Sequence, residues 1–202
     1  MKRVLIGFVL ALFALSLAGA GLAADASRPA LVLKTLDGTS FDLSAERGRG
    51  RRHILRHPNG PITLIDESYN ANPASMAAAI NVLGQAEIGP RGRRIAVLGD
   101  MLELGPSSPA LHRALSDVVK TNNIDLVYCC GPLMRNLWDA LSPGKRGGYA
   151  ENAAALESQV VGAIRAGDAI MVKGSLGSKM KTIVSALERR FPGGSAADRA
   201  VG

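Results

Sequence analysis

From residue 58 onward the chain alternates between short apolar runs and longer stretches with helical spacing, which limits the folds open to it more than any other feature. The apolar runs cover residues 62–65, 95–98, 126–130 and 169–172, with a weaker one around Tyr149. Each has strand length and no polar face, so each needs cover on both sides. Helical patterns fill the intervals at 73–85, 109–121, 133–141, 152–166 and 178–191. In the second of these, Leu111, Leu115, Val118 and Val119 form one apolar stripe, while Arg113, Asp117 and Lys120 fall elsewhere. The alternation predicts an α/β domain with a mostly parallel sheet and helices on both faces. Right-handed crossovers then bring every strand-to-helix loop to one edge of the sheet, where ligands of open α/β sheets bind.

Those loops are 66–72, 99–108, 131–132 and 173–179, and the motif residues fall in them. The first holds Asp66, Glu67, Tyr69, Asn70 and Asn72, far more side-chain donors and acceptors than a plain turn requires. Asn72-Pro73 fits a helix start, with a capping oxygen followed by a ring that pre-sets φ, and Ser108-Pro109 repeats the pattern. Tyr69, Asn70 and Asn72 can equally serve the loop itself through bonds to backbone. The second loop carries Asp100 and Glu103, with His112 beyond. Such a pair can bind a metal or work as acid and base, but no further hard ligands accompany it. The last, Lys173-Gly174-Ser175-Leu176-Gly177-Ser178-Lys179, is suited to close backbone approach and to anions, or is simply a glycine-rich turn with solvated lysines. Neither a Walker A loop nor a Gly-x-Gly-x-x-Gly fingerprint occurs anywhere in the chain.

Three blocks carry a family resemblance: Asp66-Glu67-Ser68-Tyr69-Asn70-Ala71-Asn72-Pro73; Ile95 to Gly105 with His112 downstream; and Val172-Lys173-Gly174-Ser175 followed by Met180. In order and spacing, over about residues 47–191, the chain resembles the C-terminal domain of the Mur ligases that join D-alanyl-D-alanine to UDP-N-acetylmuramoyl-tripeptide in peptidoglycan synthesis. The resemblance implies a Rossmann-like fold, a cytoplasmic location, and ATP and Mg2+ as cofactors. It also implies amide formation in which the tripeptide's terminal carboxylate is phosphorylated, the dipeptide amine attacks the acyl phosphate, and phosphate leaves. It places Asp66, Glu67, Tyr69, Asn70 and Asn72 at ATP, with Arg49 of the Gly48-Arg49 pair facing phosphate and Arg51 and Arg52 as competitors. Asp100, Glu103, Lys173, Gly174 and Ser175 go to the dipeptide. Relatives hold the UDP-sugar and the ATP phosphates on two preceding domains with no counterpart in this sequence, so the polypeptide alone is expected not to turn over.

The front of the chain is of another kind. Residues 1–24 read as a secretory signal: basic Lys2 and Arg3, an apolar run, then small residues. If functional, that segment implies the periplasm and supplies the chain's one membrane contact. Residues 25–46 read as two short strands across Asp37-Gly38 and are similar to the opening of exported thioredoxin-like proteins. The Cys-x-x-Cys helix of that family is missing, since the chain's two cysteines are the adjacent Cys129 and Cys130. Five of the seven net positive charges sit in residues 47–57, read as an arginine-rich linker ahead of a domain at 58–191 and a flexible tail at 192–202. One basic run without a reading element does not make a nucleic-acid binder. Two other classes remain open: an exported non-catalytic binding module, and an inactive remnant of a gene fusion.

Overall fold

The computed structural model describes residues 32–34, 40–42 and 51–193. They belong to two compact units, Met1–Ser44 and Ala45–Gly202. In the first, β1 (Val32–Lys34) pairs antiparallel with β2 (Ser40–Asp42). The signal-like segment at 1–24, Arg49 and most of the tail lie outside the described residues. No described helix is long and apolar enough to cross a membrane.

The second unit contains β3 (Arg51–His57), β4 (Gly60–Glu67), α1 (Pro73–Gly84), β5 (Arg94–Gly99), α2 (Ser108–Thr121) and β6 (Leu126–Cys130). There follow α3 (Arg135–Ala140), β7 (Arg146–Ala150), α4 (Ala153–Ala163), β8 (Ala169–Lys173) and α5 (Lys181–Arg190). The sheet runs β3-β4-β8-β5-β6-β7, parallel throughout except for β3. β8 and β5, at its middle, are apolar on both faces because each face is covered. One core gathers Met76, Ile80, Leu83, Leu115, Val119 and Leu137 of α1–α3 under the sheet. The other packs Leu156, Val160, Ile183, Val184 and Leu187 of α4 and α5 on the opposite face. Adjacent Cys129 and Cys130 point to opposite faces, one into each core, and both are free thiols.

Four local expectations change. Residues 51–57, read as linker, form an antiparallel edge strand in which, among residues 52–57, Leu55 alone is fully buried. Arginines suit such an edge, since they keep it wet and discourage pairing with another chain. Its outer side meets the end of the domain, where the Arg56 amide donates to the Pro192 carbonyl and Leu55 bridges to Gly193. Ser108 does not cap α2; it lies within the first turn, with its hydroxyl 3.3 Å from His112 Nδ1. α3 begins at Arg135 instead of Leu133, because residues 133 and 134 form a turn bound to Asp100. α5 begins at Lys181, after a 3-10 turn over Leu176–Ser178 and a left-handed Lys179.

The amino edge of the sheet is fastened by one acid. Asp168, whose side chain is fully buried, accepts from the Arg93 amide (2.9 Å), Arg93 Nε (3.2 Å), Arg93 Nη2 (2.7 Å) and the Arg165 amide (2.8 Å). It therefore holds the chain entering β5 against the chain entering β8.

Candidate functional site

At the carboxyl edge, parallel pairing sets Glu67 of β4 beside Lys173 of β8. Lys173 is 2% exposed, and its ammonium donates to the Asn70 carbonyl (2.8 Å) and to Glu67 Oε2 (3.4 Å). A buried cation persists only with such partners, so this lysine ties the loop after β4 to the end of β8. Asp66 turns the other way. Its Oδ1 accepts from the Ser68 amide (3.1 Å) and hydroxyl (2.6 Å), and its Oδ2 from Lys181 Nζ (2.8 Å).

Burial opposes the charge on Asp66, but Lys181 and the two Ser68 donors outweigh it and hold its carboxyl below the ordinary 3.8. A depressed folded-state pKa contributes stability above that ordinary value and loses it as pH falls through the folded pKa. Urea denaturation between pH 5 and 2 is therefore expected to show a steeper acid limb in the wild type than in Asp66→Asn. Equal slopes would mean that the carboxylate gains nothing from its partners.

Ser175 joins three loops. Its amide donates to the Asp100 carbonyl (3.1 Å), its Oγ accepts from the Leu102 amide (3.0 Å), and the hydroxyl lies 3.5 Å from the Ala71 carbonyl. A Cβ on Gly174 would stand 2.5 Å from Ser178 Oγ and 3.1 Å from Gly99 Cα, so glycine is what lets these backbones meet. His112 is buried, taking the Met101 amide on Nε2 (3.0 Å) and giving its Nδ1 proton to the Ser108 carbonyl (2.7 Å). It is a structural histidine that fixes the start of the loop after β5.

Asp100 is 5% exposed and accepts from the amides of Met134 (2.8 Å) and Leu133 (3.3 Å). Burial raises its pKa, and the two amides and nearby His112 offset only part of that. Beside it opens a cleft of about 420 Å³, within the range of small-molecule sites. Asp100, Leu102, Gly131 and Pro132 form one side, and Glu151, Asn152 and Ala153 another. Gly177 and Lys179 of the turn before α5, with Thr182 in the first turn of α5, close it. Cys130 also reaches the cleft, but burial pushes its thiol up to about 11, so at neutral pH it stays protonated and is no nucleophile.

The residues expected to form the site thus divide. Glu67, Asn70, Lys173 and Ser175 lock the loops together, and Asn72 caps α1 by accepting from the Ser75 amide (2.8 Å). Tyr69 stands 58% exposed at the rim. Glu103 is exposed with φ 65°, and of the residues expected at the dipeptide only Asp100 lines the cleft. Glu151, Asn152 and Thr182 were not anticipated, and Lys179 only as a lysine of the glycine-rich loop suited to anions. Lys179 and Asn152 carried a signal, a basic residue and a helix cap at strand-to-helix loops, but neither belongs to a recognised motif.

Comparison with known proteins agrees with this geometry. Residues 50–176 match the family described as Mur ligase, glutamate ligase domain. The chain is 35% identical over 133 residues to UDP-N-acetylmuramoyl-tripeptide–D-alanyl-D-alanine ligase of Escherichia coli, covering 62% of this chain and 26% of that one. With the Bacillus subtilis ligase of the same name it shares 32% over 149 residues, covering 72% of this chain and 32% of the relative. The chain therefore spans about a third or less of these relatives. MurF from Acinetobacter baumannii superposes with a TM-score of 0.57 at 26% identity, over 71% of this chain and 30% of that one. MurF of Thermotoga maritima gives the same score at 23% identity, which supports the fold. A sheet with its polar loops on one edge, and sequence blocks matched across most of the domain, lead to one assignment: the chain belongs to the Mur ligase family, through its glutamate ligase domain.

Proposed function

We propose that this domain is the C-terminal, substrate-cleft part of an ATP-dependent ligase that joins D-alanyl-D-alanine to UDP-N-acetylmuramoyl-tripeptide. What carries the reading is that Lys173, Ser175 and Asp100 bind four loops into one rigid edge with the cleft beside it. In this role the cleft takes the dipeptide and presents its amine to the activated carboxylate. Glu67, Tyr69 and Asn70, at the end of β4 and in the loop after it, face the nucleotide. Asp66 and Asn72 hold that loop in place, and Arg49 would face phosphate. Orientation is the domain's contribution to rate, since a positioned amine replaces a bimolecular encounter. Among the described residues no three His, Cys, Asp or Glu side chains gather to hold a metal, so no step is assigned to Mg2+. Nucleotide-linked substrates place the work in the cytoplasm.

Titration of the full chain with D-alanyl-D-alanine, followed by amide NMR shifts, tests the reading. Shifts are expected at Asp100–Leu102, Gly131, Asn152 and Gly177–Lys179. Shifts absent from these positions at millimolar dipeptide would overturn it.

A further inference from the structure

The cleft holds a mismatch between cost and location. Lys179 has φ 54°, a left-handed conformation that glycine adopts freely and a residue with a Cβ only at a cost, as Arg91, Glu103 and Asn123 also do here. The turn already contains Gly177, two residues earlier, where the backbone has no such need. A lysine is thus kept where glycine would relieve the strain, and strained positions of this kind collect at ligand sites. It is also the one basic side chain lining the cleft.

The other polar groups around it are mostly engaged. Asp100 is held by two amides, Asn152 Oδ1 accepts from the Ala155 amide (3.0 Å), and the Ser178 hydroxyl donates to the Ser175 carbonyl (2.6 Å). Lys181 is committed to Asp66. The Lys179 ammonium makes no hydrogen bond or ion pair among the described residues, and the amino end of α5 adds positive field at the same place. On another wall Glu151 accepts from the Tyr149 hydroxyl (2.8 Å) and keeps a further oxygen for a ligand. Ala153, Ala154 and Leu102 supply small apolar surface between the charged walls. A cation and a carboxylate framing short apolar walls fit a small zwitterionic peptide.

We propose that Lys179 is a specificity-determining residue that binds the C-terminal carboxylate of the peptide in this cleft, with Glu151 on the wall that receives its ammonium. The proposal rests on the reading of the cleft as the dipeptide site, and its test separates the two. The full chain is titrated with D-alanyl-D-alanine and with its C-terminal amide, D-alanyl-D-alaninamide, by calorimetry. In the wild type the amide is expected to bind about tenfold more weakly or worse, the effect of losing one charge-assisted hydrogen bond. Lys179→Gln and Lys179→Gly are expected to bind both ligands alike, while Lys179→Arg keeps the preference. Lys179→Gly is further expected to melt no lower than the wild type, which shows that lost discrimination is not lost structure. Equal binding of both ligands by the wild type, or discrimination that survives in Lys179→Gln, overturns the role of Lys179 and leaves the cleft reading standing. If neither ligand binds, the cleft reading fails and takes the proposal with it.

Discussion

Asp168→Ala is expected to destabilise the domain by about 3–5 kcal/mol, the usual cost of removing one member of a buried ion pair. The side chain is fully buried, and its two oxygens satisfy the Arg93 amide and guanidinium together with the Arg165 amide. Alanine would leave the Arg93 and Arg165 amides without acceptors where β5 and β8 start, and the guanidinium with the Ala163 carbonyl alone (2.7 Å). For a domain of this size the loss corresponds to a fall in Tm of about 10 °C or more. Thermal and urea unfolding measure it directly. Asp168→Asn keeps one carbonyl acceptor and should fall between wild type and alanine. The carboxyl edge lies at the other end of the strands, so at temperatures where Asp168→Ala is folded, its peptide binding should match the wild type. A loss below 1 kcal/mol would show that solvent replaces the carboxylate at this edge.

Gly131→Ala is expected to act at the opposite edge, costing about 2–4 kcal/mol from a disfavoured backbone and overpacking together. Gly131 has φ +106°, and a Cβ there would lie 2.5 Å from the Asp100 carboxylate. The methyl group has to push Asp100 away from the Leu133 and Met134 amides, which also line up the turn before α3. Because Gly131 and Asp100 both line the cleft, this variant should lose peptide binding under conditions where it is still folded. Stability and affinity fall together at Gly131, while Asp168 affects stability alone. A Gly131→Ala protein that melts and binds like the wild type would rule out the close packing of the two loops.

The contrast explains which parts of this structure the residue string exposed. Runs such as Ala169-Ile170-Met171-Val172 admit one interpretation because they are apolar on both sides, and they also fix where the loops must gather. β3 escaped notice since a strand at a sheet's border buries one face incompletely, and among residues 52–57 Leu55 is the lone fully covered side chain. Motif blocks located the edge that binds ligand but did not reveal how its charges divide. Asp66 meets Lys181 across 115 residues, and Glu67 meets Lys173 across 106. Contacts at such separations depend on register and topology, which no local pattern encodes. Lys179 was visible only as one lysine of an anion-suited loop, because its backbone angle is not spelled by residue type.

The seam between β3 and the residues after α5 has an effect on architecture. Leu55 bridges to Gly193, and the Arg56 amide reaches the Pro192 carbonyl, so the residues after α5 lie antiparallel along the outer side of β3. A body whose entry strand and exit segment share one border can be grafted onto other polypeptides as a cassette. Circular permutants that link these two segments and reopen the chain at the exposed turn around Pro143 should therefore keep the same interior.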